Sequence, residues 1–270
     1  MMMGLAVIVG ATITLHGQPP LLPSLLGFMT AFCLTSSSMA MNDYYDREVD
    51  ALNEPGRPVP QGIVKPKEAL SYMAILAGVG LTTAALLNLL SLLVAGLSLT
   101  LSSYYSMEGK KLGLFGNFMV SGCVAVPFLY GAFIVGSAPG SLLTVFALLA
   151  FVSNTGREVI KGIVDVEGDK LRCVRTLALR SGCRHAARVA AALYGAAVAV
   201  SALPLLGGMV SALYLPFVLA ADAGFLYSAI SIARRPSREN AKRTKKMSLL
   251  WMLLGLVAFL AGGTTSPIKI

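Results

Sequence analysis

The segment Met41–Gly62 places a cluster of acidic side chains at the end of a long apolar run. Asn42, Asp46 and Asp50 follow one another every four residues, which stacks them on one face of a helix, and Asp43 lies close to that face. Like charges at this spacing destabilise a helix unless a cation or a strong positive field lies between them. These four residues, called here the first polar row, therefore indicate a cation site rather than a merely solvated helix end.

The segment "GREVIKGIVDVEGDK" carries a second polar row, in which Arg157, Lys161, Asp165 and Asp169 again follow one another every four residues. An ionised side chain inside a membrane helix is costly, so such residues face a bundle interior or an aqueous cavity. We expect both rows to line one cavity. For the two bases, anchoring at lipid headgroups is the alternative.

The donor types of the two rows favour a hard cation. Carboxylate and amide oxygens without a nearby His or Cys match Mg²⁺, which takes one or two protein carboxylates and completes its shell with water and substrate phosphate. The acids of the two rows and a diphosphate carry more negative charge than two Mg²⁺ ions neutralise, so bases are needed as well. The candidate bases are Arg57, Lys65, Lys110, Lys111, Arg157 and Lys161. A metal-bound diphosphate in a membrane cavity suggests a polyprenyl substrate.

The elements that position these rows are predicted to be membrane helices. Of the 270 residues, 56% are hydrophobic and 13% are charged, with a mean hydropathy of +0.73, which is typical of a polytopic all-α membrane protein. Short Pro/Gly turns separate the apolar runs, so residues 1–270 are expected to form one domain. The first run is short for a span, and we expect its helix to begin upstream. Runs of about 17 to 25 apolar residues predict nine helices, at 1–15, 22–50, 67–87, 91–107, 117–136, 141–168, 185–205, 208–233 and 247–263.

The charges also predict a topology. With nine spans, every Lys and Arg except Lys269 falls at one side of the membrane, in the loops 51–66, 108–116, 169–184 and 234–246 or at the adjoining helix ends. The positive-inside rule makes this side cytoplasmic, and topology with anionic lipid contact explains the net charge of +9 without nucleic acid. The basic segment 237–246 is interpreted as a headgroup anchor. Asp222 is the one acid away from this side, either in a cavity or bonded to a neighbouring helix.

Two further polar residues within the spans are candidates for the cavity. Asn117 and Tyr105 could contact a diphosphate or line its pocket, and the tyrosine ring could face a developing cation. Helix packing for Asn117 and a place in the interfacial aromatic belt for Tyr105 are the alternatives.

The two rows resemble the Asp-rich motifs of the UbiA superfamily of intramembrane prenyltransferases. "NDYYDREVD" is similar to the pattern NDxxDxxxD, "DVEGD" is similar to DxxxD, and the flanking "NEPGRPVPQG" and the helix count also agree. The resemblance implies two four-helix halves, at about 1–107 and 117–233, and a ninth helix at 247–263 around a central cavity that opens laterally to lipid.

The same resemblance implies roles for the residues of the rows. Two Mg²⁺ ions and the diphosphate of the donor would be held by Asn42, Asp46, Asp50, Asp165 and Asp169. Catalytic roles are expected for Asp43, Asp50, Arg157 and Lys161. Contacts to the diphosphate are expected from Arg57, Lys65, Lys110, Lys111, Lys161, Arg157, Asn117 and Tyr105.

Within the superfamily, "RPVPQG" and "GREVIKGIVDVEGDK" are most similar to the archaeal branch that joins a geranylgeranyl chain to geranylgeranylglyceryl phosphate in ether-lipid synthesis. The expected donor is a prenyl diphosphate such as geranylgeranyl diphosphate, in the cell membrane with the active site toward the cytoplasm. Gly162, Val164 and Ala178 differ from the residues common in that branch, so an aromatic acceptor stays an alternative.

Two other classes of membrane protein also use intramembrane carboxylates and are therefore alternatives to a prenyltransferase. An ion-coupled transporter would carry them near mid-membrane on broken helices, whereas the rows lie at helix ends. An enzyme acting on CDP-activated alcohols would carry its acids in one contiguous segment, whereas this chain divides them between two helices. A prenyltransferase is therefore favoured.

Overall fold

The computed structural model describes residues 1–171 and 174–264, and these ranges contain helices and connecting turns but no strand. Lys269, which the sequence predicted to lie at the opposite side of the membrane from the other bases, lies outside the described residues. The helices are α1 (Met2–Leu15), α2 (Leu21–Asn53), α3 (Pro66–Ala85), α4 (Leu89–Met107), α5 (Leu114–Phe133), α6 (Ser141–Val164), α7 (Val166–Leu171), α8 (Leu177–Ser181), α9 (Cys183–Ser201), α10 (Leu203–Leu206), α11 (Tyr214–Arg234) and α12 (Arg238–Gly263).

The long helices form a closed bundle. Each packs against its neighbour in the chain, and α12 returns to contact both α1 and α6. Within the described residues, eight helices are long and apolar enough to cross a membrane, which confirms an all-helical membrane architecture. The ninth, α1, has 14 residues and covers about 21 Å, less than the ~30 Å of a hydrocarbon core.

Two helices are longer than a bilayer requires. The 33 residues of α2 extend about 50 Å and the 26 residues of α12 about 39 Å, so one end of each projects beyond the apolar layer. The projecting end of α2 carries the first polar row. The projecting end of α12 is capped by Ser237, whose hydroxyl accepts a hydrogen bond from the backbone N–H of Asn240.

Several predicted boundaries differ from those of the structure. The helix predicted to end at 168 ends at Val164, where Asp165 turns the chain into α7, and the helix predicted from 208 begins at Tyr214. The helix predicted from 247 begins nine residues earlier at Arg238, because the basic segment continues the helix instead of forming a loop. Long charged side chains are good helix formers, and hydropathy alone does not register them.

The crossing of α1 with α5 depends on two glycines. A Cβ on Gly131 would lie 2.5 Å from the backbone nitrogen of Ala11, and one on Gly10 would meet the carbonyl of Phe128. Only glycine permits the two backbones to approach so closely. This contact fixes α1 against the centre of the bundle.

We expect Gly131→Ala to destabilise the protein by about 1 to 3 kcal/mol, because the added methyl group forces the helices apart. Thermal unfolding in detergent measures the change. Gly122→Ala on the same helix is the matched control, since its Cβ meets no atom within 4 Å and alanine favours a helix. Equal Tm values for the two variants would contradict this account of the crossing.

Candidate active site

A charged pocket of about 790 Å³ lies where the projecting end of α2 meets the end of α6. Acids and bases line most of it, and α7 packs against α2 to close one side. The lining residues are Asp46, Val49, Asp50, Glu54, Arg57, Tyr105, Lys110, Asn117, Glu158, Lys161, Gly162, Asp165, Asp169, Val174, Thr176 and Lys245. The acids of both polar rows therefore share one cavity.

The first polar row is divided between this pocket and a side opening. Asp46 and Asp50 line the pocket, and the side opening is lined by Asn42, Asp43 and again Asp46. The amide oxygen of Asn42 accepts a hydrogen bond of 2.7 Å from Ser106 on α4, which fixes its direction. One face of α2 thus presents all four polar groups to connected space.

Arg57 compensates the crowded carboxylates of α2. Its Nη1 donates to Asp43 at 2.9 Å and to Asp50 at 3.0 Å, and its Nε donates to Glu54 at 3.2 Å. Burial would lower the pKa of Arg57, but Asp50 and Glu54 outweigh it and raise that pKa. Burial would likewise raise the pKa of Glu54, but Lys245 and Arg57 lower it. The guanidinium therefore stays charged at the wall of the pocket.

Lys110 performs the same role for Asp46. It lies in a 3₁₀ turn between α4 and α5, and its Nζ is paired with the Asp46 carboxylate. The same Nζ lies 5.7 Å from the centre of the Tyr105 ring, within the range of a cation–π interaction. A base and an aromatic face therefore stand side by side opposite the first polar row.

The acids of the second polar row lie where α6 ends. Asp165 caps α6, and the backbone N–H of Asp169 donates to the Asp165 carbonyl at 2.9 Å, which keeps the two side chains one turn apart across the break. Burial, followed by the charge of Asp165, raises the pKa of Asp169 to about 7. Burial also raises the pKa of Asp165, although Lys161 opposes the effect. A cation beside these carboxylates would favour their charged forms.

Glu158 was not singled out from the sequence, yet it lines the pocket and is only 6% exposed. Its carboxylate accepts from Arg157 Nη1 at 3.0 Å and lies 3.8 Å from Lys161 Nζ. Lys161 faces the pocket, whereas Arg157 is not among its lining residues. Glu158 therefore holds the two bases of α6 together.

The structure does not bring every predicted base to the pocket. Arg157, Lys65 and Lys111 are absent from its described wall. Lys111 forms an exposed pair with Glu108 at 2.8 Å, and Lys65 is an exposed residue at the start of α3. Helix ends at an interface attract bases whether or not they face a site, so sequence position alone does not separate the two groups.

The sequence analysis interpreted the basic segment 237–246 as a headgroup anchor, and the position of Lys245 shows that this interpretation was wrong for at least one residue. Lys245 lines the charged pocket and pairs with Glu54 at 3.5 Å. Because α12 begins at Arg238, position 245 lies two turns inside a helix that packs on α6. At least one base of this segment therefore belongs to the pocket.

The donor set fits Mg²⁺ held jointly with a phosphate group. Among residues 1–171 and 174–264, no three acidic, His or Cys side chains converge tightly enough to hold an ion unaided. Mg²⁺ ordinarily binds one or two carboxylates together with water and substrate phosphate oxygens. Asp46 and Asp50 on one side and Asp165 and Asp169 on the other supply such oxygens. The roles assigned to individual residues stay predictions.

Asp222 lies away from this pocket. It lines an apolar cavity of about 660 Å³ among α1, α5, α6, α9, α11 and α12, and its carboxylate accepts a hydrogen bond of 2.7 Å from Ser201. Both alternatives raised by the sequence, a cavity position and a bond to a neighbouring helix, therefore apply to it.

The model of the UbiA prenyltransferase family matches residues 3–262. A digeranylgeranylglyceryl phosphate synthase of Methanopyrus kandleri is 38% identical over 96% of this chain and 94% of its own. The enzyme of that name from Archaeoglobus fulgidus is 35% identical over 97% and 91%, and that from Thermococcus sibiricus is 32% identical over 98% and 94%.

Solved structures share the fold. One from a study of digeranylgeranylglyceryl phosphate synthase in membranes has a TM-score of 0.76 and 28% identity, covering 98% of this chain and 94% of its own. An apo UbiA homolog from Aeropyrum pernix K1 has a TM-score of 0.79 at 18% identity, covering 94% and 96%. A UbiA homolog from Archaeoglobus fulgidus bound to GPP and Mg²⁺ has a TM-score of 0.62 at 16% identity, covering 95% and 96%. The last two likenesses concern the fold alone.

We expect Glu158→Gln to lower the free energy of unfolding by about 2 kcal/mol or more, because Arg157 and Lys161 lose a buried counter-charge. Denaturation in detergent measures the loss. Glu108→Gln breaks an exposed pair and should change stability by no more than about 0.5 kcal/mol. Similar losses in both variants would contradict a role for Glu158 in holding the two bases.

Proposed function

Because this chain belongs to the UbiA prenyltransferase family, we propose that it transfers a geranylgeranyl group from geranylgeranyl diphosphate to geranylgeranylglyceryl phosphate. The main structural support for this proposal is the charged pocket, which combines carboxylates of two helices with four bases at the end of a membrane bundle. The name shared by the relatives supports the acceptor. This reaction belongs to archaeal ether-lipid synthesis.

The bases of the pocket stabilise the leaving group. Transfer breaks the bond between the allylic carbon of the donor and a diphosphate oxygen, and forms a bond from that carbon to a hydroxyl oxygen of the acceptor, which loses its proton. Negative charge grows on the diphosphate as it leaves, and Arg57, Lys110, Lys161 and Lys245 provide fixed positive charge around it. Mg²⁺, when bound, supplies Lewis-acid stabilisation of the same oxygens.

The acids have two tasks in this arrangement. The oxygen donors for the cations, of which we propose two, are Asp46, Asp50, Asp165 and Asp169, with Asn42 at the side opening. Asp43 and Asp50 hold Arg57 at the wall through hydrogen bonds of 2.9 and 3.0 Å. Tyr105 presents a ring beside Lys110, where it helps to exclude water from the reacting carbon.

The proposed location is the cell membrane, with the charged pocket toward the cytoplasm. The bundle has eight apolar helices among its described residues, and its bases concentrate at the pocket end. By the positive-inside rule that end faces the cytoplasm. The glycerol phosphate headgroup of the acceptor would then enter from the aqueous side, while its chain lies in the membrane.

An aromatic acceptor is the second candidate, favoured by the absence of an acid at Gly162 and Val164. An ion-coupled transporter has less support, since the other carboxylates gather at helix ends and Asp222 is the only acid among the described residues that line the apolar cavity. The products of one assay with a panel of acceptors distinguish both of these candidates from the proposed reaction.

We expect purified protein to join geranylgeranyl diphosphate to geranylgeranylglyceryl phosphate only when Mg²⁺ is present. Asp46→Asn and Asp169→Asn should each lower kcat/KM by about 100-fold or more, because each removes a charged oxygen donor from the leaving-group site. Glu48→Gln on the exposed side of α2 is the matched control.

Radiolabelled donor and a panel of acceptors measure these rates. Product with 4-hydroxybenzoate or a naphthoate alone would contradict the ether-lipid acceptor. No product with any acceptor, and no release of diphosphate from wild type, would contradict prenyl transfer itself.

Lys245→Gln should raise the KM for the donor diphosphate by about tenfold, because one charged contact to phosphate is lost. Lys242→Gln removes an exposed base from the same helix and should leave the KM unchanged. Steady-state kinetics with varied donor separates the two. An equal effect of both substitutions would indicate general attraction by the basic segment instead of a pocket contact.

A further inference from the structure

The first two turns of α12 touch the ends of both helices that carry the polar rows. Arg238 reaches the end of α6, where its Nε donates to the carbonyl of Val164 at 3.1 Å. Seven residues further on, the Nζ of Lys245 lies 3.5 Å from the carboxylate of Glu54 at the end of α2. Residues seven apart share one face of a helix and lie about 10.5 Å apart along its axis. One face of α12 therefore contacts both α2 and α6 beside the charged pocket.

The guanidinium of Arg238 spans the break between α6 and α7. Its Nε binds Val164, the last residue of α6, and its Nη1 pairs with Glu167 of α7 at 3.0 Å. The last carbonyls of a helix have no partner within that helix, and Val164 is 1% exposed. Arg238 thus satisfies a buried acceptor at the break and holds the helix that follows it.

These two contacts lie on either side of Asp165. The guanidinium is a planar and rigid fork, so its bonds to Val164 and Glu167 fix the angle at which α7 leaves α6. Asp165 ends α6, whereas Asp169 belongs to α7. The angle between the two helices therefore sets the direction of the Asp169 carboxylate relative to that of Asp165.

The segment from which Arg238 projects is itself fixed. The side-chain amide of Asn240 donates to the carbonyls of Ser231 at 3.0 Å and Arg235 at 2.8 Å, and its oxygen accepts from the Ser231 hydroxyl at 3.1 Å. These bonds close the turn between α11 and α12. Arg238 therefore reaches α6 and α7 from a turn that is bonded on both sides.

The same face of α12 is connected to the first polar row through Lys245. Glu54, its partner, also accepts a hydrogen bond of 3.2 Å from Arg57. Arg57 in turn binds Asp43 and Asp50. A path of ion pairs thus leads from the acids of α2 to α12, and the contacts of Arg238 continue it to the acids that follow α6.

Stability alone does not account for a base at this position. Arg238 is the first residue of α12, where the helix dipole disfavours a positive charge. The side chains of Arg238 and Glu167 are 40% and 73% exposed, and exposed ion pairs contribute little to stability. The contact acts mainly on the geometry of the break between α6 and α7.

We propose that Arg238 is a positioning residue that holds Asp165 and Asp169 where they can bind, together with the first polar row, one metal–diphosphate group. The inference rests on the proposed function, because it takes these carboxylates as cation ligands. Arg238 is absent from the described wall of the charged pocket, so it acts through α6 and α7 without touching the substrate. The basic segment 237–246 then serves the site at two positions, Arg238 and Lys245.

Binding of a donor analogue tests the proposal without turnover. Calorimetric titration of the protein in detergent with the Mg²⁺ complex of geranylgeranyl thiodiphosphate, which does not react, gives the Kd and the number of sites. Arg238→Met keeps the length of the side chain but removes its donors, and it should raise the Kd about tenfold or more, as loss of a group that orients metal ligands does. The Tm and the number of sites should stay close to wild type, since an exposed pair is lost.

Two further variants separate positioning from charge. Arg238→Lys keeps the charge but loses the planar fork, so it should still raise the Kd about threefold or more. Arg243→Met is the matched control, because it removes an exposed arginine from the same helix, and its Kd should stay within about twofold of wild type.

The outcomes separate the two levels of inference. A wild-type Kd in Arg238→Met, or an equal rise in Arg243→Met, would overturn the positioning role and leave the proposed function intact. Full retention of affinity by Arg238→Lys would also overturn it, since charge alone would then suffice. A smaller number of sites with an unchanged Kd would mean a purely structural role. If Arg238→Met fails to fold, Arg238→Lys decides. No binding of the Mg²⁺ complex by wild type would overturn the proposed function, and this inference with it.

Discussion

Mutual repulsion among carboxylates at one end of the bundle is the constraint on which the rest of the structure depends. The acids of α2 stand one turn apart and face those that follow α6. Their counter-charges come from separate parts of the chain: Arg57 after α2, Lys110 between α4 and α5, Lys161 on α6 and Lys245 on α12. The pocket is therefore electrostatically balanced only when the bundle closes, and a cation with a diphosphate would complete that balance.

The sequence pattern correctly predicted those parts of the fold that depend on local periodicity. Long apolar runs predicted the helices, because an isolated span must satisfy its own backbone hydrogen bonds whatever its neighbours are. The spacing of Asp46 with Asp50 and of Asp165 with Asp169 predicted a shared cavity, since charged faces in a membrane protein turn inward. The break after Val164 was missed, yet the Asp165 and Asp169 side chains keep a separation of one turn because a backbone hydrogen bond spans it. The division into two similar halves stays a prediction.

The residues that the sequence did not assign to the site depend on tertiary packing. Lys245 lies in a run of bases that fits a headgroup anchor equally well, and only the packing of α12 on α6 turns it inward. Glu158 could have been found from its spacing of three residues to Lys161 and seven to Asp165, and Glu54 from its place one turn beyond Asp50. Lys65 and Lys111 show the converse, since bases near a membrane surface satisfy the same pattern while they point elsewhere.

Anomalous scattering from crystals soaked with Mn²⁺ and a non-hydrolysable geranylgeranyl diphosphate analogue tests most directly whether the two polar rows hold metal and diphosphate together. Mn²⁺ shares the oxygen preference of Mg²⁺ and reveals its own position. The account predicts peaks between Asp46 on one side and Asp165 and Asp169 on the other, each beside phosphate density and lost in Asp46→Asn. Phosphate density bound by the bases alone, or peaks outside the charged pocket, would contradict it.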